Sequence, residues 1–157
     1  MKTLLPAAIL FFSITVGTAS LRAQEGDSPS WQFSTAVSAY VFPSDETFFL
    51  PVVYADRDWL HLEARYNYEA RESGSLFFGR KFTWESGQLE GEFTPVVGLV
   101  LGDVDGVAPG LELDLLVDPV EFYTEGEFMM DFGEGGSSFW YFWSELSVWP
   151  VEWLNAG

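Results

Sequence analysis

The stretch Leu60-His61-Leu62-Glu63-Ala64-Arg65-Tyr66-Asn67-Tyr68-Glu69 sorts by parity into two unlike sets. Leu60, Leu62, Ala64, Tyr66 and Tyr68 fall on one, and His61, Glu63, Arg65, Asn67 and Glu69 on the other. Successive side chains of an extended strand point to opposite faces, so this alternation describes a strand lying between two different environments. The pattern returns at 120–132, where Val120, Phe122, Gly126, Phe128, Met130 and Phe132 oppose Glu121, Glu125, Glu127 and Asp131. It returns again at 88–101, with Leu89, Phe93, Val97, Leu99 and Leu101 against Gln88, Glu90, Glu92 and Thr94. Working outward, the sequence predicts strands at 31–42, 47–55, 59–69, 75–85, 88–101, 107–117, 120–132 and 139–149, with a ninth starting at 151. These lengths suit a tilted strand crossing a bilayer, which needs about 9–11 residues.

The turns predict register. Facing residues of a hairpin share a side of the sheet, so a correct turn centre brings like against like. A turn centred on Arg57 pairs Tyr54 with Leu60 and Val52 with Leu62, and one centred on Glu72 pairs Leu62 with Phe82 and Glu63 with Lys81. Ser86-Gly87 pairs Trp84 with Leu89, Val104 pairs Val97 with Leu111, Asp118-Pro119 pairs Leu115 with Phe122, and Ser44-Asp45 pairs Val41 with Phe48. Gly133 to Ser138 requires an odd offset or a bulge. Tight turns (Asp56 to Asp58, Ser86-Gly87, Asp118-Pro119, Trp149-Pro150) alternate with longer loops (Pro43 to Glu46, Ala70 to Gly74, Gly102 to Gly106, Gly133 to Ser138). That asymmetry is the habit of outer-membrane barrels.

Alternation alone leaves two architectures. A soluble, exported acidic barrel or sandwich would turn the apolar face inward around a small apolar ligand, with its acids in water. A membrane barrel would turn the apolar face to lipid and the acids to the lumen. Three features favour the second. Trp31, Trp59, Trp84, Trp149 and Trp153 sit beside the tight-turn end and Trp140, Tyr66 and Tyr68 toward the other, as interfacial aromatic girdles do. Lys81 is the sole lysine beyond the N-terminal segment, whereas soluble β proteins use lysine to protect their surfaces. Finally, Lys2, the apolar run Leu4 to Val16 and the small residues Gly17 to Ser20 have the form of an export signal, cleaved after Ala19 or Ala23.

The expected organisation is a signal peptide at 1–23, a polar segment at 24–30 and a β-barrel domain at 31–157. The chain resembles bacterial outer-membrane β-barrel proteins as a class, over 31–157, in its alternation, girdles and turn lengths. The resemblance implies an all-β, antiparallel up-and-down transmembrane meander of about eight complete strands and part of a ninth. It implies an outer-membrane location, with outer-membrane lipid and the barrel assembly machinery as partners. Members of this class commonly end on a strand with a terminal aromatic residue. Here Asn155-Ala156-Gly157 follows the start of the ninth strand, which suggests either a barrel cut short at its C-terminal end or a closed eight-stranded barrel with a tail.

Composition narrows the chemistry. Asp and Glu number 24 against 7 Lys and Arg, a formal net charge of −17. Without residues 1–23, which carry Lys2 and Arg22 and no acid, it is 5 − 24 = −19. Such a chain does not seek nucleic acid. Cysteine is absent, which removes disulfides and thiolate metal sites. His61 is the single histidine and falls on the polar face without an implied serine partner, so no enzyme, cofactor or metal site is expected. Carboxylate pairs such as Glu90/Glu92 and Glu125/Glu127 are ordinary coincidences in so acidic a chain. Gly102-Asp103-Val104-Asp105-Gly106 reads as a turn, with weak divalent-cation binding by the acidic loops as the only ion expectation. The polar face predicts a lumen network of His61, Glu63, Arg65, Glu69, Lys81, Glu90, Glu92, Glu112, Asp114, Glu125 and Glu127. With few bases to balance them, these acids imply a structural or cation-preferring passive-channel role. Two features fit badly: prolines 51, 95 and 109 fall within strands, and Arg80 falls on the apolar face.

Overall fold

The structure, a computed structural model, describes residues 10–15, 19–20, 29–41, 47–133, 136–151 and 154–156. It is all-β and antiparallel. The strands are β1 Leu10–Thr15, β2 Ala19–Ser20, β3 Gln32–Val41, β4 Phe48–Arg57, β5 Leu60–Tyr66 and β6 Gly74–Arg80. They continue with β7 Phe82–Ser86, β8 Leu89–Leu101, β9 Gly106–Val117, β10 Val120–Asp131, β11 Phe139–Val151 and β12 Leu154–Ala156. Each pairs with its successor in a meander from β3 to β12, with β6 and β7 both on β8. The segment read as an export signal contributes β1 and β2, which lie along β3 opposite β4.

The prolines shape the ladder without shifting it. Gly79 faces Val96 and Phe82 faces Phe93 in one register. The break between β6 and β7 falls where Pro95, which has no N–H to donate, stands in the partner strand. Pro109 likewise coincides with a gap in β9–β10 pairing between Glu127–Gly110 and Met130–Val107. Pro51 pairs with Val37, and β5 begins pairing one residue later, at Val52. Arg80 sits opposite Leu60, where β5 leaves its turn.

The sheet curls until strands that are not neighbours touch. Arg65 on β5 reaches Glu127 on β10 at 3.1 Å, although β6, β8 and β9 lie between them in the sheet. Tyr68, beyond β5, meets Tyr141 of β11 edge to face at 5.4 Å. The concave side is therefore an interior, and polar residues fill it. His61, Glu63, Arg65, Glu69, Ser75, Thr94, Glu125, Glu127 and Ser147 are buried. The convex side carries the oil: Leu76 is 66% exposed, Leu101 58%, Phe142 72% and Leu146 60%. Among the described residues nineteen large hydrophobic side chains are exposed and only seven apolar ones buried, the reverse of a soluble protein's arrangement.

The apolar interior that exists is a plug beside the polar region. Phe77, Val96, Val100, Ala108 and Met129 form it, with Val104 and Phe139 against it. Phe77 lies so flat on Gly98 that a Cβ there would stand 2.5 Å from its ring. We expect Gly98→Ala to destabilise the fold by about 1–3 kcal/mol through overpacking, measured as a lower denaturant midpoint with unchanged slope.

Several registers differ from expectation. Leu115–Phe122 is as predicted. The 4–5 and 5–6 hairpins slide by even steps, to Ser86–Leu89 and Val97–Pro109, which keep every side chain on its face. The 3–4 hairpin also slides evenly, so Leu62 faces Phe78, and Glu63 faces Phe77 rather than Lys81. The 7–8 connection takes an odd offset, pairing Phe128 with Trp140. Two hairpins differ from expectation by odd steps. Tyr40, not Val41, faces Phe48, and the predicted turn at 44–45 lies outside the described residues. In the 2–3 hairpin Arg57 pairs with Leu60 and Tyr54 with Glu63, because the turn is Asp58-Trp59, with Asp58 at φ 54°. Tyr54 therefore shares Glu63's inward side, and Val52 and Leu50 are buried inside.

Candidate functional site

The interior polar cluster is built from alternate residues of five strands. β4 supplies Asp56, β5 supplies His61, Glu63 and Arg65, β8 supplies Glu92, β9 supplies Glu112 and β10 supplies Glu125 and Glu127. Asn67 takes a left-handed conformation, φ 60°, which suits asparagine. The chain turns there, and both Tyr68 and Glu69 point inward beyond it. The Asn67 side chain holds this turn by accepting from the Glu72 N–H at 2.8 Å and donating to the Phe49 carbonyl at 3.1 Å.

Arg65 is the hub. Its Nε donates to Glu63 Oε2 at 2.7 Å, and one terminal nitrogen donates to Glu127 Oε2 at 3.1 Å. Glu69 and Glu112 each stand 3.6 Å from the guanidinium. The guanidinium also lies over the rings of Phe77, at 4.1 Å, and Tyr68, at 4.5 Å, so charge and aromatic faces fix it from several sides. His61 lies next along the strand. Its Nδ1 is 2.6 Å from Asp56 Oδ1, and its Nε2 is 3.0 Å from Glu63 Oε1 and 3.7 Å from Glu112 Oε2. Both ring nitrogens thus face carboxylates, and an imidazole protonated at both satisfies them together. Lys81 extends the chain toward the tight-turn end, with Glu92 at 2.9 Å and Asp56 at 3.6 Å.

The tyrosines close the other side. Tyr68 and Tyr123 hydroxyls both donate to Glu125, the latter at 2.9 Å. Ser75 donates to Glu69 at 2.8 Å. Glu127 Oε1 is buried with no hydrogen-bond partner among the described residues, a position that calls for water.

Most of the expected network is assembled. His61, Glu63, Arg65, Glu69, Lys81, Glu92, Glu112, Glu125 and Glu127 are joined directly or through one partner. Asp114 is half-buried opposite Glu92. Glu90 is exposed, opposite Glu85 on the β7–β8 hairpin, and stands outside the network. The sequence reading missed Asp56, which it assigned to a turn, and the tyrosines at 54, 68, 123 and 141. Alternation would have revealed Tyr123, which shares parity with Glu121 and Glu125. Nothing in the pattern marks the phase change at Asn67 that turns Tyr68 inward.

Of the expected girdle, Trp59 is exposed in the tight turn, Trp84 is exposed close to the next one, and Trp31 is half-buried beside the start of β3. Trp140 and Tyr66 are exposed toward the long-loop end, Trp140 at 77%. Tyr68 belongs to the interior. The side chain of Trp149 and all of Trp153 lie outside the described residues.

Chemically the cluster is a set of carboxylates organised by one guanidinium, one imidazole and one ammonium. His61, Glu63 and Glu112 could each offer one ligand atom to a cation, these atoms lying within 4.8 Å of one another; as placed they engage each other and Arg65. Among the described residues no helix is long and apolar enough to cross a membrane, which says nothing of strands. No protein-family description, curated protein or solved structure matches this chain.

Proposed function

We propose that the chain is an outer-membrane β-barrel protein with a structural or passive, cation-preferring channel role. One observation carries this reading: the curled sheet buries Glu63, Arg65, Glu125 and Glu127 and exposes Leu76, Phe78, Leu99 and Phe142. In water that surface would aggregate; in a bilayer it is the surface that dissolves. A closed antiparallel meander is what a membrane tolerates, since every backbone group must then be paired within the sheet; the described sheet curls part of the way round, with β1 and β12 at its two edges. The cross-bore contacts of Arg65 and Tyr68 narrow the interior, which favours a structural role or a small conductance over a wide pore. Cleavage of the N-terminal segment would uncover the edge of β3 that β1 covers, and in lipid that edge must find a strand partner.

Fractionation of the expressing cell is the test. The protein should stay with the envelope through salt washes and leave only with detergent; release into buffer would overturn the reading. In planar bilayers under a salt gradient, any conductance should prefer cations, because interior acids outnumber interior bases. Anion preference would remove the channel role.

A further inference from the structure

The convex face carries two arginines that the interior does not use. Arg57 and Arg80 both pair in register with Leu60, from either side of β5. They therefore stand two strands apart, about 10 Å, on the same face. Both are exposed. The Arg57 guanidinium lies 5.7 Å from the Trp31 ring centre, and its Nε donates to the Pro29 carbonyl at 3.1 Å. The Arg80 guanidinium lies 5.4 Å from Trp59 and 5.2 Å from Phe82. In a chain with 24 acids, neither guanidinium has a carboxylate within ion-pair distance among the described residues. Aromatic faces place both groups while most of their N–H donors stay free.

An apolar groove begins beside them. Phe78 is two residues from Arg80 on the same outward parity and meets Trp59 edge to face at 6.5 Å. With Leu62, Leu76, Val97 and Leu99 it lines a shallow groove of about 380 Å³. A cationic pair at the turn end of the sheet, next to an oily groove that spans β5, β6, β8 and β9, has the two-part form of a phospholipid.

We propose that Arg57 and Arg80 bind the phosphate of a phospholipid head group, with one acyl chain lying in the groove of Leu62, Leu76, Phe78, Val97 and Leu99. The inference rests on the membrane reading above. A guanidinium fork suits phosphate oxygens, and an aromatic girdle sets both groups at head-group height. It also accounts for arginine on the apolar face: the charge is at the interface, where its cost is small, and it has a ligand there.

The test uses the full chain purified in a maltoside detergent, with phosphatidylglycerol as the probe and native mass spectrometry as the readout. The wild type should retain bound phosphatidylglycerol. Arg57→Gln/Arg80→Gln should weaken it at least about tenfold, the loss of one charge-assisted hydrogen bond or more. Diacylglycerol with the same chains should bind no better than to the double variant, and inorganic phosphate should not compete. Arg71→Gln, a basic change elsewhere, should leave binding as it was. Should the double variant not fold, the wild type still decides: its uptake of the lipid should fall as ionic strength rises. Equal uptake by the double variant, equal binding of diacylglycerol or indifference to salt would each overturn the site. Such a result in a chain that still requires detergent for extraction defeats the site alone; a chain soluble without detergent defeats the membrane reading beneath it.

Discussion

Arg65→Met should destabilise the folded protein by about 3–5 kcal/mol, the cost of leaving buried charges without their partner. The change keeps most of the side chain's volume and removes only the guanidinium. Glu63 and Glu127 would then lose contacts of 2.7 and 3.1 Å, and Glu69 and Glu112 the cation 3.6 Å away. His61 stays beside Glu63 at 3.0 Å and Glu112 at 3.7 Å, so the loss falls hardest on Glu69 and Glu127, whose ion pairs are with Arg65. Reversible unfolding by urea in detergent micelles, followed by tryptophan fluorescence, measures the loss. The intact network need not stabilise the protein over an apolar interior of the same shape, because desolvation offsets much of the attraction. The combination Arg65→Met, Glu63→Gln, Glu127→Gln should accordingly recover part of the loss. If the triple variant is as unstable as the sum of its parts, the residues do not act as one cluster.

Val97→Arg should cost about 2–4 kcal/mol when the protein is folded in lipid vesicles, if the side chain sits near the bilayer midplane. Val97 is 48% exposed on the convex face, inside the groove beside Phe78. An exposed position in a soluble protein would take the same change with an effect of about 0.5 kcal/mol or less. Equilibrium unfolding from vesicles distinguishes the two, and an unaffected midpoint would mean that this face meets water.

How far the sequence could be read depends on how unlike its two faces are. On β8, β9 and β10 one parity carries the acids and the other is apolar, so strands 88–101, 107–117 and 120–132 agree with those observed to within about a residue. In the same region even errors of register left every face correct. The Asp118-Pro119 turn leaves room for a single pairing, and Leu115–Phe122 followed directly. β4 is different. Its sequence Phe48-Phe49-Leu50-Pro51-Val52-Val53 is apolar on both parities, because Leu50 and Val52 pack inside while Phe49 and Val53 face out. With no contrast to anchor it, the polar triplet Asp56 to Asp58 passed for the turn. The turn lies later, at Asp58-Trp59, which the backbone reaches with a left-handed aspartate.

That slip hid a member of the candidate site. As a strand residue Asp56 faces inward and is bonded to His61; as a turn residue it would have none of this chemistry. The acids and bases on β5, β9 and β10 were legible because they share the parity of an alternating strand. Their mutual distances were not, since the contact of Arg65 with Glu127 depends on how tightly the sheet curls, which no pairwise alternation encodes. Tyr68 was misassigned to the girdle for a local reason: Asn67 leaves the extended conformation and resets the phase beyond it.

The most direct measurement uses the chain's lack of cysteine. Single cysteines placed in turn at Val97 and Leu99 on the convex side, and at Glu92 and Asp114 on the concave side, can each carry a spin label in lipid vesicles. Collision with oxygen, which concentrates in hydrocarbon, should be high at 97 and 99 and low at 92 and 114, with no access at 97 or 99 for a water-soluble nickel chelate. Free access of the chelate to 97 and 99 would place the leucines and valines of this face in water and contradict the inverted barrel.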